Sequence, residues 1–440
     1  MTATRRVLII SPHFPPDASA AAHRARLLAP HLPAAGWTPT IVTVAAEDTG
    51  ATLDPDLGAA VPPDLDVRRC RAWSRTTARR LGFGDVGLRA WRALRRAAAD
   101  ALRTAPAEIV FITIYPTYPA LLGPALAERF GARFVLDLQD PWVGAWGATV
   151  GPGGRPDWRS RASRALAVHL EPRVVTRAAA LTAVSRGTLD ELAARVPAVR
   201  ELPSDVLPIG WDPADWRHLD AQSRPNGFFD PADGCLHFCY VGTLLPGSHE
   251  TMRAFLQALA RTVAHRPGLA GRLRLWCVGT SNEAQADAPS QVMPLAEAAG
   301  VAALVREHPA RVPYFQALAL ARDAHAVLLL GSDEPHYTPS RAFTAAASGN
   351  HLLGALHQAS DVLPMLAALT PSRLVRIVPY APVPTGDSVA ALASALDALV
   401  DAPRAARPDA EPALEPYSAT RLAARLAALF DRVAVAEARP

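Results

Sequence analysis

The first candidate for a chemical role is the carboxylate of Asp140, which stands next to a proline. Asp140 follows an apolar, strand-like run and precedes Pro141-Trp142. Because proline stiffens the loop, the Asp140 side chain is expected to be held at the carboxyl end of a strand. A carboxylate held there can orient a hydroxyl group or take its proton. The open alternative is structural, with Asp140 capping the loop and Trp142 packing below it.

Two segments of the second half have the character of an anion site. Gly242-Thr243 to Gly247-Ser248 lies between a strand pattern and a helix pattern, where backbone N–H groups and a helix N-terminus attract phosphate. Ser340-Arg341 adds a hydroxyl and a guanidinium, whose fork fits two phosphate oxygens. Arg341 is therefore the first candidate for a positive clamp on a diphosphate. A plain β–α turn and a solvated helix arginine are the open alternatives.

Asp17, in the first loop, and Arg24, in the helix pattern that follows, form a further pair of opposite charges. These two residues are candidates to contact each other or to contact substrates. A purely structural ion pair is an equally open interpretation.

The composition excludes several classes of protein. The 440 residues include 45 basic and 41 acidic side chains, and the net charge of +4 is far from that of a dedicated nucleic-acid binder. The sequence contains no lysine, which excludes a lysine nucleophile or Schiff base. No apolar run is long enough to span a membrane, so a cytoplasmic protein is expected. The cysteines lack zinc-site spacing and are expected to be buried apolar residues.

Alternating strand and helix patterns must position these residues, and they fall into two series. A Pro-rich segment at 202–213 separates the series and is the predicted linker. Such alternation indicates an α/β fold with two doubly wound, Rossmann-like halves, each on a parallel sheet. The predicted strands are Arg6 to Ser11, Thr40 to Val44, Asp66 to Arg69, Ile109 to Ile114, Phe134 to Leu138, Leu181 to Val184, Leu236 to Val241, Leu273 to Val278, Val327 to Leu330 and His351 to Leu356.

Six short motifs occur in a fixed order along the chain. They are Phe14-Pro15-Pro16-Asp17 with Arg24, Leu32 and Gly36-Trp37; Asp137 to Trp142; Ala183-Val184-Ser185; Leu207 to Asp212; Tyr240-Val241-Gly242-Thr243; and Tyr337 to Phe343. Together the motifs resemble those of the family-4 glycosyltransferases (glycosyltransferase group 1), in the polysaccharide-biosynthesis subgroup. The resemblance extends over nearly the whole chain.

The resemblance implies a GT-B fold, in which two Rossmann-like domains face each other across a cleft. The domains would be 1–205 for the acceptor, 206–415 for the nucleotide-sugar donor and 416–440 as a crossover helix packing on the N-terminal domain. The implied reaction moves a sugar from a nucleotide-diphosphate sugar to a glycan or lipid-linked glycan acceptor, in surface polysaccharide biosynthesis. Retention of anomeric configuration and the absence of a metal or other cofactor are also implied.

The motifs carry expected roles onto individual residues. The catalytic candidates are Asp140 and Arg341, and the acceptor-binding candidates are Asp17, Arg24 and Trp142. The donor-binding candidates are Gly242, Thr243, Gly247, Ser248, Tyr337, Ser340, Arg341 and Thr344.

The chain departs from the family pattern at the donor motif. Thr243 stands near the usual arginine, and His336 and Thr344 stand where the family has its Glu-x7-Glu pair. Two rival functions are open. One is a catalytically degenerate scaffold or binding protein, which these departures favour. The other is a nucleotide-sugar 2-epimerase, which the loss of both glutamates disfavours.

An arginine-rich helix pattern from Leu88 to Arg103 suggests one further partner. Arg89, Arg92 and Arg96 are candidates for peripheral contact with an anionic inner membrane. A solvated helix on the surface of an α/β domain explains the same spacing.

Overall fold

The computed structural model describes residues 5–80, 84–144, 148, 156–281, 288–335, 337–369, 371, 373–405, 407 and 411–435. The chain forms two compact units. The first unit comprises Met1–Ile209 with Ala419–Pro440, and the second comprises Gly210–Ser418. These limits lie four and three residues beyond the predicted boundaries at 205 and 415.

The strands of both units pair in parallel and form one sheet in each unit. In the first unit they are β1 (Arg5–Ile10), β2 (Trp37–Val44), β3 (Asp66–Cys70), β4 (Ile109–Ile114), β5 (Arg133–Leu138), β6 (Ala180–Ala183) and β7 (Ser204–Val206). In the second unit they are β8 (Leu236–Val241), β9 (Leu273–Val278), β10 (Val305–His308), β11 (Ala326–Leu330), β12 (His351–His357) and β13 (Val375–Tyr380).

The helices connect successive strands. They are α1 (Ala22–Leu28), α2 (Ala46–Thr49), α3 (Pro55–Ala59), α4 (Arg75–Arg80), α5 (Val86–Thr104), α6 (Leu122–Phe130), α7 (Trp158–Val175), α8 (Arg186–Arg195), α9 (Pro213–Ala221), α10 (His249–His265), α11 (Met293–Ala298), α12 (Tyr314–Asp323), α13 (Arg341–Ala347), α14 (Leu363–Ala367), α15 (Gly386–Val400) and α16 (Ala419–Val435).

The order of strands in each sheet creates one reversal of winding direction. The first sheet has the order β3-β2-β1-β4-β5-β6-β7, and the second has β10-β9-β8-β11-β12-β13. The chain therefore leaves β1 toward one edge and returns to β4 on its other side, and β8 and β11 have the same relation. Ligands of doubly wound sheets bind at the carboxyl ends of the strands at such a reversal.

The central strands are apolar because helices cover both faces of each sheet. All six residues of β4 are buried, as expected for a strand sandwiched between two helical layers. In the first unit α5, α6 and α7 contribute to the core on one face, and α1 and α16 to the core on the other. The prediction of two Rossmann-like α/β units is confirmed.

The last helix, α16, packs on the first unit through one apolar stripe. Leu422, Leu426, Leu429 and Phe430 are buried there. The Phe430 ring meets the rings of Trp37 and Phe111 edge-on, at centroid distances of 5.3 and 5.7 Å.

The predicted linker at 202–213 needs correction. Its residues Ser204–Val206 form β7, which pairs with β6 as the last strand of the first sheet. Three strands, β7, β10 and β13, were not predicted, because each lies at a sheet edge and has polar or half-exposed positions instead of a continuous apolar run.

Candidate functional site

In the second unit the predicted donor residues follow β8 and β11, the strands at the reversal. Gly242 and Thr243 come directly after β8, and α10 begins at His249. The segment after β11 continues through Ser332 and Asp333 to α13, which begins at Arg341. The fold thus brings together two motifs that are about 100 residues apart in sequence.

Arg341 is the centre of this group. Its Nη2 donates to the carbonyl oxygen of Thr243 at 2.9 Å, and its guanidinium lies over the Tyr240 ring, 4.7 Å from the centroid. Gly242 has φ of 123°, and a Cβ there would lie 3.4 Å from the guanidinium carbon. The Arg341 Nη1 atom is buried and has no hydrogen-bond partner among the described residues. A buried, charged donor without a partner is costly, so it is suited to an anionic ligand.

Tyr240 and Tyr337 surround the guanidinium with phenol groups. Burial raises the pKa of Tyr240, although the positive charge of Arg341 opposes that shift. The phenol is therefore neutral at physiological pH and leaves the positive charge of Arg341 without an internal counter-charge from Tyr240.

Further polar atoms without partners among the described residues lie at the start of α10 and before α13. Ser248 Oγ and His249 Nε2 are buried at the start of α10, and Thr338 Oγ1 is buried on the segment before α13. Gly247 packs so tightly that a Cβ would overlap the side chains of Ser332 and Asp333. Only glycine therefore allows the two segments to approach this closely.

The backbone of the Gly242–Ser248 turn is less available to phosphate than the sequence predicted. The N–H groups of Gly242, Leu244 and Ser248 donate to Val278, Thr280 and Leu245 respectively, at 2.8–2.9 Å. The first two donors hold the turn against the end of β9 and the residues that follow it, and the third closes the turn on itself, so none of the three faces a ligand. Side chains, more than backbone N–H groups, are therefore the available anion donors of this turn.

The remaining donor candidates differ in their surroundings. Ser340 is exposed and precedes α13 without a side-chain capping bond. The hydroxyl of Thr344 donates to the carbonyl of Arg341 within the same helix, at 3.1 Å. His336 lies outside the described residues.

In the first unit Asp140 is exposed directly after β5. Trp142, predicted to bind an acceptor, is instead only 7% exposed and belongs to the hydrophobic core. The acceptor role of Trp142 is therefore corrected to packing, which is the structural alternative that the sequence had left open.

Asp17 and Arg24 do not pair with each other. Asp17 is fully buried and its Oδ2 lies 2.6 Å from Nδ1 of His13. Arg24 is 1% exposed, and its Nε lies 3.0 Å from Oδ2 of Asp137 on β5.

The other two guanidinium nitrogens of Arg24 donate to the carbonyls of Leu207 and Pro208, at 2.6 and 3.1 Å. All of its nitrogens therefore serve the interior of the first unit. The prediction that Arg24 contacts an acceptor is therefore wrong, because the buried guanidinium has no face left for a substrate.

Comparison with known proteins identifies the first unit. Residues 19–210 match the model of a family described as a glycosyl transferase 4-like domain. This stretch of chain is similar to that family. The resemblance to family 4 predicted from the motifs is confirmed.

Solved structures with the same fold span both units. The α,α-trehalose-phosphate synthase (UDP-forming) of Burkholderia vietnamiensis shares 13% identity over 99% of both chains, with a TM-score of 0.61. The N-terminal domain of Candida albicans trehalose-6-phosphate phosphatase shares 13% identity over 99% of this chain and 98% of its own, with a TM-score of 0.60. An E. coli trehalose-6-phosphate structure bound with UDP-2-fluoro glucose shares 12% identity over 98% of this chain and 97% of its own, with a TM-score of 0.56.

At these identities the likeness shows the fold, which is of the GT-B type. No curated protein matches the sequence.

The stretch matched by the family model also contains the arginine-rich helix α5. Arg89, predicted to contact a membrane, is 5% exposed and donates to the carbonyls of Trp73 and Asp48 at 2.7 Å. That part of the prediction is wrong, because the side chain ties two loops together inside the unit. Arg92 and Arg96 are exposed.

The described residues contain neither a membrane-spanning helix nor a cluster of metal ligands. None of the described helices is long and apolar enough to cross a lipid bilayer. Within the same part of the chain, His, Cys, Asp and Glu do not gather in threes as a metal site would require.

Sequence reasoning overlooked two histidines. His13 precedes Asp17 by four residues, and His249 follows the Gly247-Ser248 pair directly. A histidine four residues before a carboxylate in a strand-to-helix loop is a signal that the sequence offered for His13. For His249 the only signal was its place directly after the predicted Gly242–Ser248 turn.

Proposed function

We propose that the chain is a glycosyltransferase that moves a sugar from a nucleotide-diphosphate sugar to a glycan or lipid-linked glycan acceptor. The observation that carries the proposal is Arg341, whose buried Nη1 has no partner among the described residues in a chain with a glycosyl transferase 4-like domain. A diphosphate supplies the acceptor oxygens that this nitrogen lacks.

The proposed donor contacts follow from the geometry of the second unit. Arg341 stabilises the negative charge that develops on the leaving diphosphate, which is where such a site gains most. Ser248, His249 and Thr338 provide further unpaired polar atoms nearby, and exposed Ser340 adds a hydroxyl. Since these groups are cationic or hydrogen-bonding side chains, the proposal includes no metal ion and no other cofactor.

In the first unit Asp140 is the carboxylate proposed to orient an acceptor hydroxyl. It is exposed at the carboxyl end of β5, next to the β1 and β4 ends where ligands of such sheets bind. Retention of anomeric configuration and a role in surface polysaccharide assembly complete the proposal, and both come from the resemblance to family 4. The NMR coupling constant of the product's anomeric proton, compared with that of the donor, tests retention.

The donor role of Arg341 is tested by calorimetric titration with UDP-, GDP- and dTDP-sugars. Arg341→Ala is expected to weaken binding of the preferred donor by about 1.5 to 3 kcal/mol, the range for a hydrogen bond to a charged group. Arg376→Ala is the matched control, because Arg376 is exposed in the same unit and donates only to its neighbour's carbonyl. Equal affinity of both variants for the donor would remove Arg341 from the site.

A non-catalytic, nucleotide-sugar-binding scaffold is the second candidate. It is favoured by Thr344, which stands at a glutamate position of the family motif and bonds its own helix. A chain that binds a nucleotide sugar but neither transfers nor hydrolyses it, with 4-nitrophenyl glycosides as acceptors, would be such a scaffold.

Peripheral association with the inner membrane, from the cytoplasmic side, is the last part of the proposal. Arg92 and Arg96 are exposed on α5, and each arginine near an anionic surface contributes about 1 kcal/mol. Replacing both with glutamine is expected to reduce co-sedimentation with vesicles of anionic lipid. Unchanged co-sedimentation would exclude this face.

A further inference from the structure

The strongest unassigned feature is a histidine–aspartate couple at the winding reversal of the first sheet. His13 and Asp17 lie in the loop after β1. The loop is tied to the neighbouring strand β4, because the Thr113 hydroxyl donates to Ser11 Oγ at 3.1 Å and Ser11 Oγ donates to the His13 carbonyl at 2.8 Å. The couple therefore sits where ligands of a doubly wound sheet bind.

Asp17 is fixed and ionised. Its Oδ1 accepts the backbone N–H of Ser19 at 2.7 Å, and its Oδ2 accepts from His13 at 2.6 Å. Burial raises the pKa of Asp17, but the hydrogen bonds from His13 and Ser19 outweigh burial and hold that pKa below its usual value. An ionised carboxylate only accepts hydrogen bonds, so Nδ1 of His13 carries the proton of this contact. The other ring nitrogen, Nε2, is then left as an acceptor in the neutral imidazole.

Other buried histidines use their ring nitrogens differently. In the second unit His237 also pairs with an aspartate four residues away, since its Nε2 lies 3.0 Å from Asp233 Oδ1. Its second nitrogen, Nδ1, accepts from Trp276 at 3.0 Å, so neither nitrogen remains for a substrate. No hydrogen bond to Nε2 of His13 occurs among the described residues.

The surroundings of His13 suit a sugar hydroxyl. The Tyr115 ring, 46% exposed at the end of β4, lies 6.1 Å from the imidazole, and an exposed aromatic face packs against the apolar face of a sugar ring. Charged groups beside this loop include Asp85, whose pKa burial raises although backbone hydrogen bonds from Leu88 and Gly87 oppose that shift, and Arg69, which donates to the Pro15 carbonyl at 2.7 Å. Asp85 also caps α5 through the N–H of Leu88.

We propose that His13 is the catalytic residue that takes the proton of the acceptor hydroxyl, with Asp17 as the positioning residue that fixes its tautomer. This inference rests on the proposed function. The hydroxyl proton passes to Nε2 of His13 while the acceptor oxygen forms its bond to the anomeric carbon. The bond from that carbon to the diphosphate breaks, and its electron pair leaves with the diphosphate. The imidazolium then returns its proton to water.

The acceptor hydroxyl must lose its proton whichever face of the donor sugar it attacks. The role proposed for His13 is therefore independent of whether the anomeric configuration is retained or inverted. Asp140 keeps the separate role of orienting a hydroxyl. The leaving diphosphate is the rival proton acceptor, and the experiment is designed to separate it from His13.

The experiment measures transfer to 4-nitrophenyl glycosides at a saturating concentration of the nucleotide sugar that binds in calorimetry. His13→Gln and His13→Ala are expected to lower kcat by about 10²-fold or more with unchanged donor affinity. Added imidazole should restore part of the activity of His13→Ala. The dependence of kcat on pH should differ between His13→Gln and the unaltered chain, because the proton acceptor is gone.

Asp17→Asn is the test of positioning. An amide donor facing Nδ1 moves the ring proton to Nε2, which removes the acceptor. Activity should fall, and added imidazole should not restore it. The ¹⁵N NMR signal of the His13 ring is assigned by its loss in His13→Gln, and in Asp17→Asn that signal should report the changed tautomer. Asp233→Asn is the matched control, because it breaks the same kind of pair at an exposed position in the other unit and should leave kcat unchanged.

Transfer at the normal rate with an unchanged pH profile in His13→Gln would overturn the proposal and assign the proton to the diphosphate. If the unaltered chain transfers no sugar, the proposed function fails by itself. Titration of that chain with a 4-nitrophenyl glycoside then decides the acceptor site: a shift of the His13 Nε2 resonance supports it, and an unmoved resonance overturns it.

Discussion

Asp137→Asn is predicted to destabilise the first unit strongly, because it leaves the Arg24 guanidinium buried without its counter-charge. Both side chains are at most 1% exposed, and their atoms lie 3.0 Å apart. Asp137 also accepts from the Thr182 hydroxyl at 2.7 Å, and burial raises the pKa of its carboxyl although Arg24 opposes that shift. Removing one partner of a buried pair costs about 3 to 5 kcal/mol, a large share of the roughly 5 to 15 kcal/mol that stabilises a domain.

For a unit of this size the loss corresponds to a fall in Tm of roughly 6 to 20 °C, at about 2 to 4 °C per kcal/mol. Differential scanning calorimetry is the assay, and any transition that belongs to the second unit serves as an internal reference.

Glu108→Gln is the matched control, because it breaks the partly exposed Arg5–Glu108 pair at 2.7 Å in the same unit. A pair of that kind contributes about 0.2 to 1 kcal/mol. If Asp137→Asn has the same Tm as Glu108→Gln, the buried pair contributes no more to stability than a surface pair. The structural role of Arg24 would then be refuted. A double replacement of Arg24 and Asp137 with apolar residues should recover much of the lost stability.

Three further predictions concern other parts of the chain. The Phe430 ring is fully buried beneath α16, so Phe430→Ala opens a cavity there. The free energy of unfolding of the first unit, measured by urea titration, should fall by about 3 to 5 kcal/mol. A loss below about 1 kcal/mol would mean that α16 contributes little to the stability of this unit. The pKa of Asp17 is lowered in the folded state. Its contribution to stability is therefore complete above the unfolded-state pKa of about 3.9 and is lost as pH falls through the folded value. Tm measured from pH 5 to 2 should fall less in Asp17→Asn than in the unaltered chain, and an equal fall of Tm in both would contradict this. Gly247→Ala should weaken nucleotide-sugar binding, since its Cβ would overlap Asp333, whereas Gly268→Ala, with open space around the added carbon, should bind normally in the same calorimetric titration.

The sequence was a good guide to the central strands but missed the edge strands β7, β10 and β13, although it predicted the edge strand β3. Central strands such as β4 are covered on both faces, so their apolar runs are continuous and readable. Edge strands such as β7 and β13 are only partly covered, and their composition resembles that of loops. The segment at Ser204–Val206 was therefore interpreted as a linker.

The candidate site divided in a similar way. Arg341 was predicted from its motif, and the structure adds that its guanidinium contacts Thr243 and Tyr240. His13 was missed because its importance lies in the partner that holds Nδ1 and in the absence of one at Nε2. The spacing of four residues to Asp17 is a signal of the first property, whereas the second is visible in neither a residue type nor a spacing.

By itself the sequence determined two parallel-sheet units and the strand ends at which their polar residues lie. Few other folds can bury apolar strands that alternate with amphipathic helices. Such patterns depend only on residues close together in the sequence, so they can be read from each segment by itself. Only the tertiary structure decided which charges meet, pairing Asp17 with His13, and Arg24 with Asp137, which lies 113 residues further along the chain. That choice depends on which strands become neighbours and on how deeply each side chain is removed from water, because the strength of a charge pair is set by its surroundings and not by its sequence.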